Sequence, residues 1–148
     1  MYRSILVPVD LEQPSSWEKA LPTAVALRQA FGASLALVTA VPEPAVMFES
    51  QWSPIAQREM LEVARARLGS LASSVDGAGE VTHHVEMGGI YSTILSIGER
   101  IGADLIVLSS HRPAMRDYLL GANDHSSVSS NHARFRNFTF TTLPPTRS

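Results

Sequence analysis

Three places in this chain hold side chains able to do chemistry. Ser109-Ser110-His111-Arg112-Pro113 sets two hydroxyls beside an imidazole and a guanidinium. His and Arg donate to phosphate oxygens, Arg through two parallel bonds, and serines are small enough to let a backbone approach a ligand. Further on, Leu119-Leu120-Gly121-Ala122-Asn123 offers a glycine where a helix could start, and the free amides of a helix start attract anions. Asp10 stands alone after the apolar run Ile5-Leu6-Val7-Pro8-Val9, and its carboxylate can accept hydrogen bonds from a ribose or an adenine. Each place also has a plainer reading. Asp10 can cap or turn the chain before a helix, and the Ser-His-Arg stretch can be a solvated turn carrying two surface cations.

Other chemistries are disfavoured by composition or spacing. Cysteine is absent, which excludes disulfide frameworks, cysteine–zinc sites and thiol catalysis. Twelve Lys and Arg stand against fourteen Asp and Glu, so no basic excess exists for a nucleic-acid backbone. His83 and His84 are adjacent in a strand-like run, so their rings should point to opposite faces and cannot share a metal. His125 and His132 have no partner at a metal-ligand spacing. Ser110, His111 and Asp10 suggest a hydrolytic triad only on paper: the G-x-S-x-G elbow is missing, and neighbouring Ser and His side chains point apart. No Walker lysine and no metal-binding carboxylate pair supports an ATP-consuming enzyme. Trp17, Met47, Phe48 and Trp52 read as packing or loop cover, and residues 42–53 as a flap beside the site.

The elements that must position these residues are legible from periodicity. Four short apolar runs, at 5–9, 35–41, 81–85 and 105–108, read as strands. The first and last are near-continuous in Ile, Val and Leu, as strands buried on both faces are. Helical stretches lie between them. The first is expected to open at a Ser15/Glu18 capping box and end at Gly32, with Pro22 kinking it early. The second begins at Ser53-Pro54 and aligns Leu61, Ala64, Leu68 and Leu71 on one face. The third runs from about Tyr91 to Ile101 and stops at Gly102. Strands alternating with helices predict a single α/β domain over residues 1–148, an open, doubly wound parallel sheet. Ligands of such sheets bind beyond the carboxyl ends of the strands. The opening run is too short for a signal-peptide core or a membrane span, which predicts a soluble, cytoplasmic protein.

Ile5-Leu6-Val7-Pro8-Val9-Asp10 resembles the opening strand and aspartate of the universal stress proteins. Val85-Glu86-Met87-Gly88 resembles that family's third strand and glycine turn, and 102–111 its fourth strand and nucleotide loop. The likeness spans residues 1 to 123. It implies a five-stranded sheet of order 3-2-1-4-5, bound ATP or ADP with or without Mg2+, a homodimer, a role in stress survival and no established reaction. Nucleotide-binding members carry G-x-x-G, nine residues, then G-S/T. Here Ser109 and Arg112 replace the glycine pair, eight residues separate Arg112 from Gly121, and Ala122 replaces the hydroxyl residue. Ser-His-Arg-Pro followed by Leu-Leu-Gly-x-Asn instead resembles the short F/G-type bacterial branch. The resemblance implies that Pro8, Val9 and Asp10 face the adenosine and that Ala40 and Val41 line the adenine pocket. It places Ser109, Ser110, His111, Arg112, Gly121, Ala122 and Asn123 around the phosphates. The alternative is a nucleotide-free interaction module of the same fold, favoured by the lost glycine pair and by Ala122.

Beyond Asn123 the likeness stops. Residues 124–132 are Ser-rich and lack an apolar stripe, so they make a poor helix. Residues 135–142 have strand propensity, and Phe138-Thr139-Phe140 is expected to serve as an edge strand. The abrupt change suggests a shifted reading frame, a divergent gene end or a cloning artefact in 124–148, which sequencing the gene decides. A missing helix and strand would uncover one side of the sheet and weaken the dimer.

Overall fold

The computed structural model describes residues 2–42, 54–75, 79–109, 132–135 and 138–143. Strand β1 (Ser4–Pro8) leads through a 3-10 turn (Pro14–Ser16) to helix α1 (Ala20–Phe31). Then follow β2 (Ser34–Val41), α2 (Pro54–Ser73), β3 (Val81–Met87), α3 (Ile90–Ile101) and β4 (Leu105–Ser109). Two further strands, β5 (His132–Phe135) and β6 (Phe138–Leu143), close the described chain. The sheet order is β3-β2-β1-β4-β6-β5. The first four strands are parallel in the expected order, with β1 between β2 and β4.

Alternation along the strands sorts the apolar side chains into two cores. Ile5, Val7, Leu35, Leu37, Leu105 and Val107 pack with Ala20, Leu21 and Ala24 of α1 and Ala64 and Leu68 of α2. Leu6, Ala36, Val38, Ile106 and Leu108 pack with Ile94, Leu95 and Ile97 of α3. Both faces of the sheet are thus covered, which is why the central strands read as unbroken apolar runs. Asp104 fixes the start of the β1–β4 pair: its two carboxylate oxygens accept the Arg3 and Ser4 amides at 2.9 and 3.0 Å.

The start of α1 differs from the sequence expectation. Ser15 and Glu18 form no capping box; the chain makes the 3-10 turn, and Lys19 occupies the N-cap without a side-chain bond. Pro22 explains the difference. It is the third residue of α1, where a backbone N–H has no helical acceptor in any case, so proline sets the boundary and introduces no interior break. The other boundaries fall where expected: Pro54 opens α2, and Gly32 and Gly102 take left-handed φ values of 65° and 70° at the ends of α1 and α3.

The tail differs more. Phe138–Leu143 pairs in parallel with β4, from Leu105↔Thr139 to Ser109↔Leu143, and so fills the fifth parallel place. Phe138-Thr139-Phe140 thus lies in a strand of the sheet, as the sequence allowed. This strand is not an edge, because β5 pairs antiparallel on its other side, from His132↔Thr141 to Phe135↔Phe138. An open row of backbone donors and acceptors recruits such a partner. The sheet thus has six strands instead of five. Residues 124–131 lie outside the described residues.

Candidate functional site

In a parallel sheet the carboxyl ends of the strands all lie on one side. The carboxyl ends of β1, β2 and β4 open into one cavity of about 930 Å³. Pro8, Val9, Asp10, Ala40, Val41 and Ser109 all line it. The structure therefore gathers these six of the residues singled out from sequence. Ser110, His111, Arg112, Gly121, Ala122 and Asn123 lie outside the described residues, as do residues 43–53. Sequence reasoning passed over the other walls. Ala56, Met60, Val63, Ala64 and Arg67 come from α2, and Ile90, Tyr91 and Ile94 from the first turns of α3. The α2 residues recur at helical spacing, but the face expected from sequence was Leu61, Ala64, Leu68 and Leu71, which shares only Ala64 with the cavity wall.

The β1 end of the cavity is held by backbone bonds and by side chain-to-backbone bonds. The Val9 amide donates to the Val38 carbonyl at 2.8 Å, and the buried Thr39 hydroxyl donates to the Val9 carbonyl at 2.8 Å. The strand end just before Asp10 is thereby tied to β2. The Asp10 amide donates to Ser16 Oγ at 2.9 Å, and the Gln13 amide donates to the Asp10 carbonyl at 2.9 Å. Asp10 Oδ1 accepts the Glu12 amide at 3.0 Å, a turn in which an aspartate bonds the backbone two residues on. The bland reading of Asp10 as a turn residue is thus realised, and it coexists with a place on the cavity wall. Arg67 spans from α2 to this turn, donating to Glu12 Oε1 at 2.7 Å and to the Leu11 carbonyl at 2.9 Å.

At the β4 end, Ser109 lines the cavity, yet its Oγ is buried and has no hydrogen-bond partner among the described residues. A hydroxyl in that state costs free energy, which the surrounding fold must offset. The histidine pair lies elsewhere. The His83 ring sits where a Cβ on Gly69 of α2 would come within 3.3 Å of it. His84 is influenced by Arg100 of α3, the opposite layer, as strand alternation requires. Burial, then the positive charge of Arg100, hold His84 below its ordinary value, against an upward pull from Glu86.

The comparisons agree with this architecture. The chain matches the universal stress protein family over residues 1–130, and it belongs to that family. It is 29% identical over 133 residues to universal stress protein G of Salmonella typhimurium, covering 86% of this chain and 92% of the relative. Among solved structures it is similar to universal stress protein UspA from Lactobacillus plantarum, with a TM-score of 0.62, 20% identity and 98% of both chains covered. A universal stress protein in complex with cAMP gives a TM-score of 0.55 at 21% identity, again over 98% of both chains. The two structural likenesses establish the shared fold. No helix among the described residues is long and apolar enough to cross a membrane.

Proposed function

We propose that this protein binds an adenine nucleotide, ATP or ADP, in the strand-end cavity and acts as a cytoplasmic, homodimeric regulator of stress survival without a reaction of its own. In this reading residues 1–148 form one domain with an atypical tail at 124–148. The observation that carries the proposal is the convergence of Asp10 and Ser109, from adjacent strand ends, on one largely apolar cavity. Its volume of about 930 Å³ lies within the roughly 300–1,000 Å³ typical of small-molecule sites. The residues fit the ligand class. Ala40, Val41, Met60 and Ile94 offer apolar surface to a purine, and Asp10 offers an acceptor to ribose hydroxyls. Among the described residues the Ser109 hydroxyl has no partner, and a ligand oxygen could provide one after a side-chain rotation. From the sequence, Ser110, His111, Arg112, Gly121, Ala122 and Asn123 would hold the phosphates. Mg2+ would come with the phosphates of such a ligand. The relative solved with cAMP shows that this fold accommodates an adenine nucleotide in another chain.

Mass spectrometry of the purified protein for adenine nucleotide, followed by calorimetric titration with ATP and ADP, tests the proposal. Asp10→Ala and Gly121→Val should each weaken binding about tenfold or more. Ser109 and Arg112 in place of the family's glycine pair favour the second reading, a nucleotide-free interaction module. Absence of both copurified nucleotide and binding heat would establish that one instead.

A further inference from the structure

One side chain of α2 grips the turn that carries Asp10. Arg67 lies on the helix face that lines the cavity with Met60 and Ala64. Its guanidinium donates to Glu12 Oε1 at 2.7 Å and to the Leu11 carbonyl at 2.9 Å. Both acceptors belong to the turn that Asp10 closes through the Glu12 amide at 3.0 Å. The Arg67 and Glu12 side chains are 47% and 81% exposed, so this pair adds little to the stability of the fold. Geometry gives it a different use. A planar guanidinium holds two acceptors at a fixed separation, here on consecutive residues, and thereby fixes the turn relative to the opposite wall of the cavity.

We infer that Arg67 is a positioning residue for Asp10: it orients the turn that presents the carboxylate and joins α2 to the β1 side of the site. The inference rests on the reading of the cavity as an adenine-nucleotide site. It differs from a direct role for Arg67 at a ligand phosphate in one measurable way. A direct contact acts whether or not Asp10 is present, whereas a positioning residue acts through Asp10, so its effect vanishes when Asp10 is removed.

The test uses the full chain and two readouts. ATP is titrated calorimetrically into the wild type, Arg67→Ala, Arg67→Lys, Asp10→Ala and the Asp10→Ala/Arg67→Ala double variant. Amide exchange at Glu12 and Gln13 is followed in the ligand-free wild type and Arg67→Ala. Arg67→Ala should weaken ATP binding about fivefold, and Arg67→Lys should recover part of that loss. In the Asp10→Ala background, removing Arg67 should change affinity no further. The two amides should exchange faster in Arg67→Ala while the thermal midpoint stays in place. Equal weakening in both backgrounds would overturn the inference in favour of direct contact. Unchanged exchange at Glu12 and Gln13 would overturn it whether or not ATP binds. Faster exchange in a protein that takes no ATP would support the turn-holding role while refuting the nucleotide reading alone.

Discussion

Replacing Thr39 with valine tests how the β1 end of the site is held. Thr39 is 5% exposed, and its hydroxyl donates to the Val9 carbonyl at 2.8 Å. Valine has nearly the same shape, so the substitution removes the donor without opening a large void. A buried carbonyl left without its partner costs about 1–3 kcal/mol. The methyl that replaces the hydroxyl returns up to about 0.8 kcal/mol of apolar burial. The net loss should be about 1–2 kcal/mol. At roughly 2–4 °C per kcal/mol for a chain near this size, the midpoint should fall by about 2–8 °C. Urea and thermal unfolding measure this. Thr39→Ser separates the bond from the packing, since serine keeps the hydroxyl and loses only the methyl, at a cost of about 1 kcal/mol. Amide exchange at Val9 and Asp10 supplies the local signal: valine should speed it and serine should not. If Thr39→Val unfolds within about 0.5 kcal/mol of the wild type, or if serine loosens the two amides as much as valine does, the hydroxyl does not hold the strand end.

Two further outcomes follow from polar groups the fold leaves in unusual states. Ser109→Ala should raise stability in the absence of ligand by about 0.5–1.5 kcal/mol, because it deletes a buried hydroxyl with no partner among the described residues; urea unfolding that shows a loss would mean the hydroxyl is bonded in solution. His84 is held below its ordinary value of 6.5 by burial first and by Arg100 and His83 next, against Glu86. Its unfolded form therefore takes up a proton more readily than its folded form, and stability falls as pH drops through 6.5 toward the lower folded value. His84→Asn should lose less stability than the wild type when pH is lowered from about 7.5 to about 5.5, as chemical unfolding at the two values would report.

The parts of the fold legible in the sequence are those set by burial and by backbone conformation. Ile5–Val7 and Leu105–Leu108 read as doubly buried strands because α1 and α2 cover one face and α3 the other. Gly32 and Gly102 read as helix ends because both adopt the left-handed conformation that glycine tolerates best. The start of α1 was misread because two local signals compete there. The Ser15/Glu18 pair suggests a cap, whereas Pro22 can sit without loss only in a first turn, and the proline prevails. The first strand of the tail, His132–Phe135, has no apolar alternation to reveal it. Its position comes from backbone pairing along β6, and periodicity carries no record of that. The site divides in the same way. Asp10 and Ser109 could be found because strand ends can be counted, but Thr39, Ser16 and Arg67 act through side-chain hydrogen bonds to the backbone, which no spacing rule encodes.

The site therefore has two halves held by different means. The Asp10 half is fixed by side chains from three separate segments: Thr39 of β2, Ser16 of the 3-10 turn and Arg67 of α2. The Ser109 half is fixed by pairing, since β4 has β1 on one side and β6 on the other, with Ser109 opposite Leu143. The tail departs most from the family pattern, yet it provides the strand beside β4. A parallel neighbour there satisfies backbone groups along β4 up to the residue that enters the cavity. The identity of the tail side chains matters less to Ser109 than the presence of a strand in register. An unusual terminal sequence can accordingly leave the cavity in place, because a ladder of main-chain bonds tolerates changes of side chain that a packed core does not.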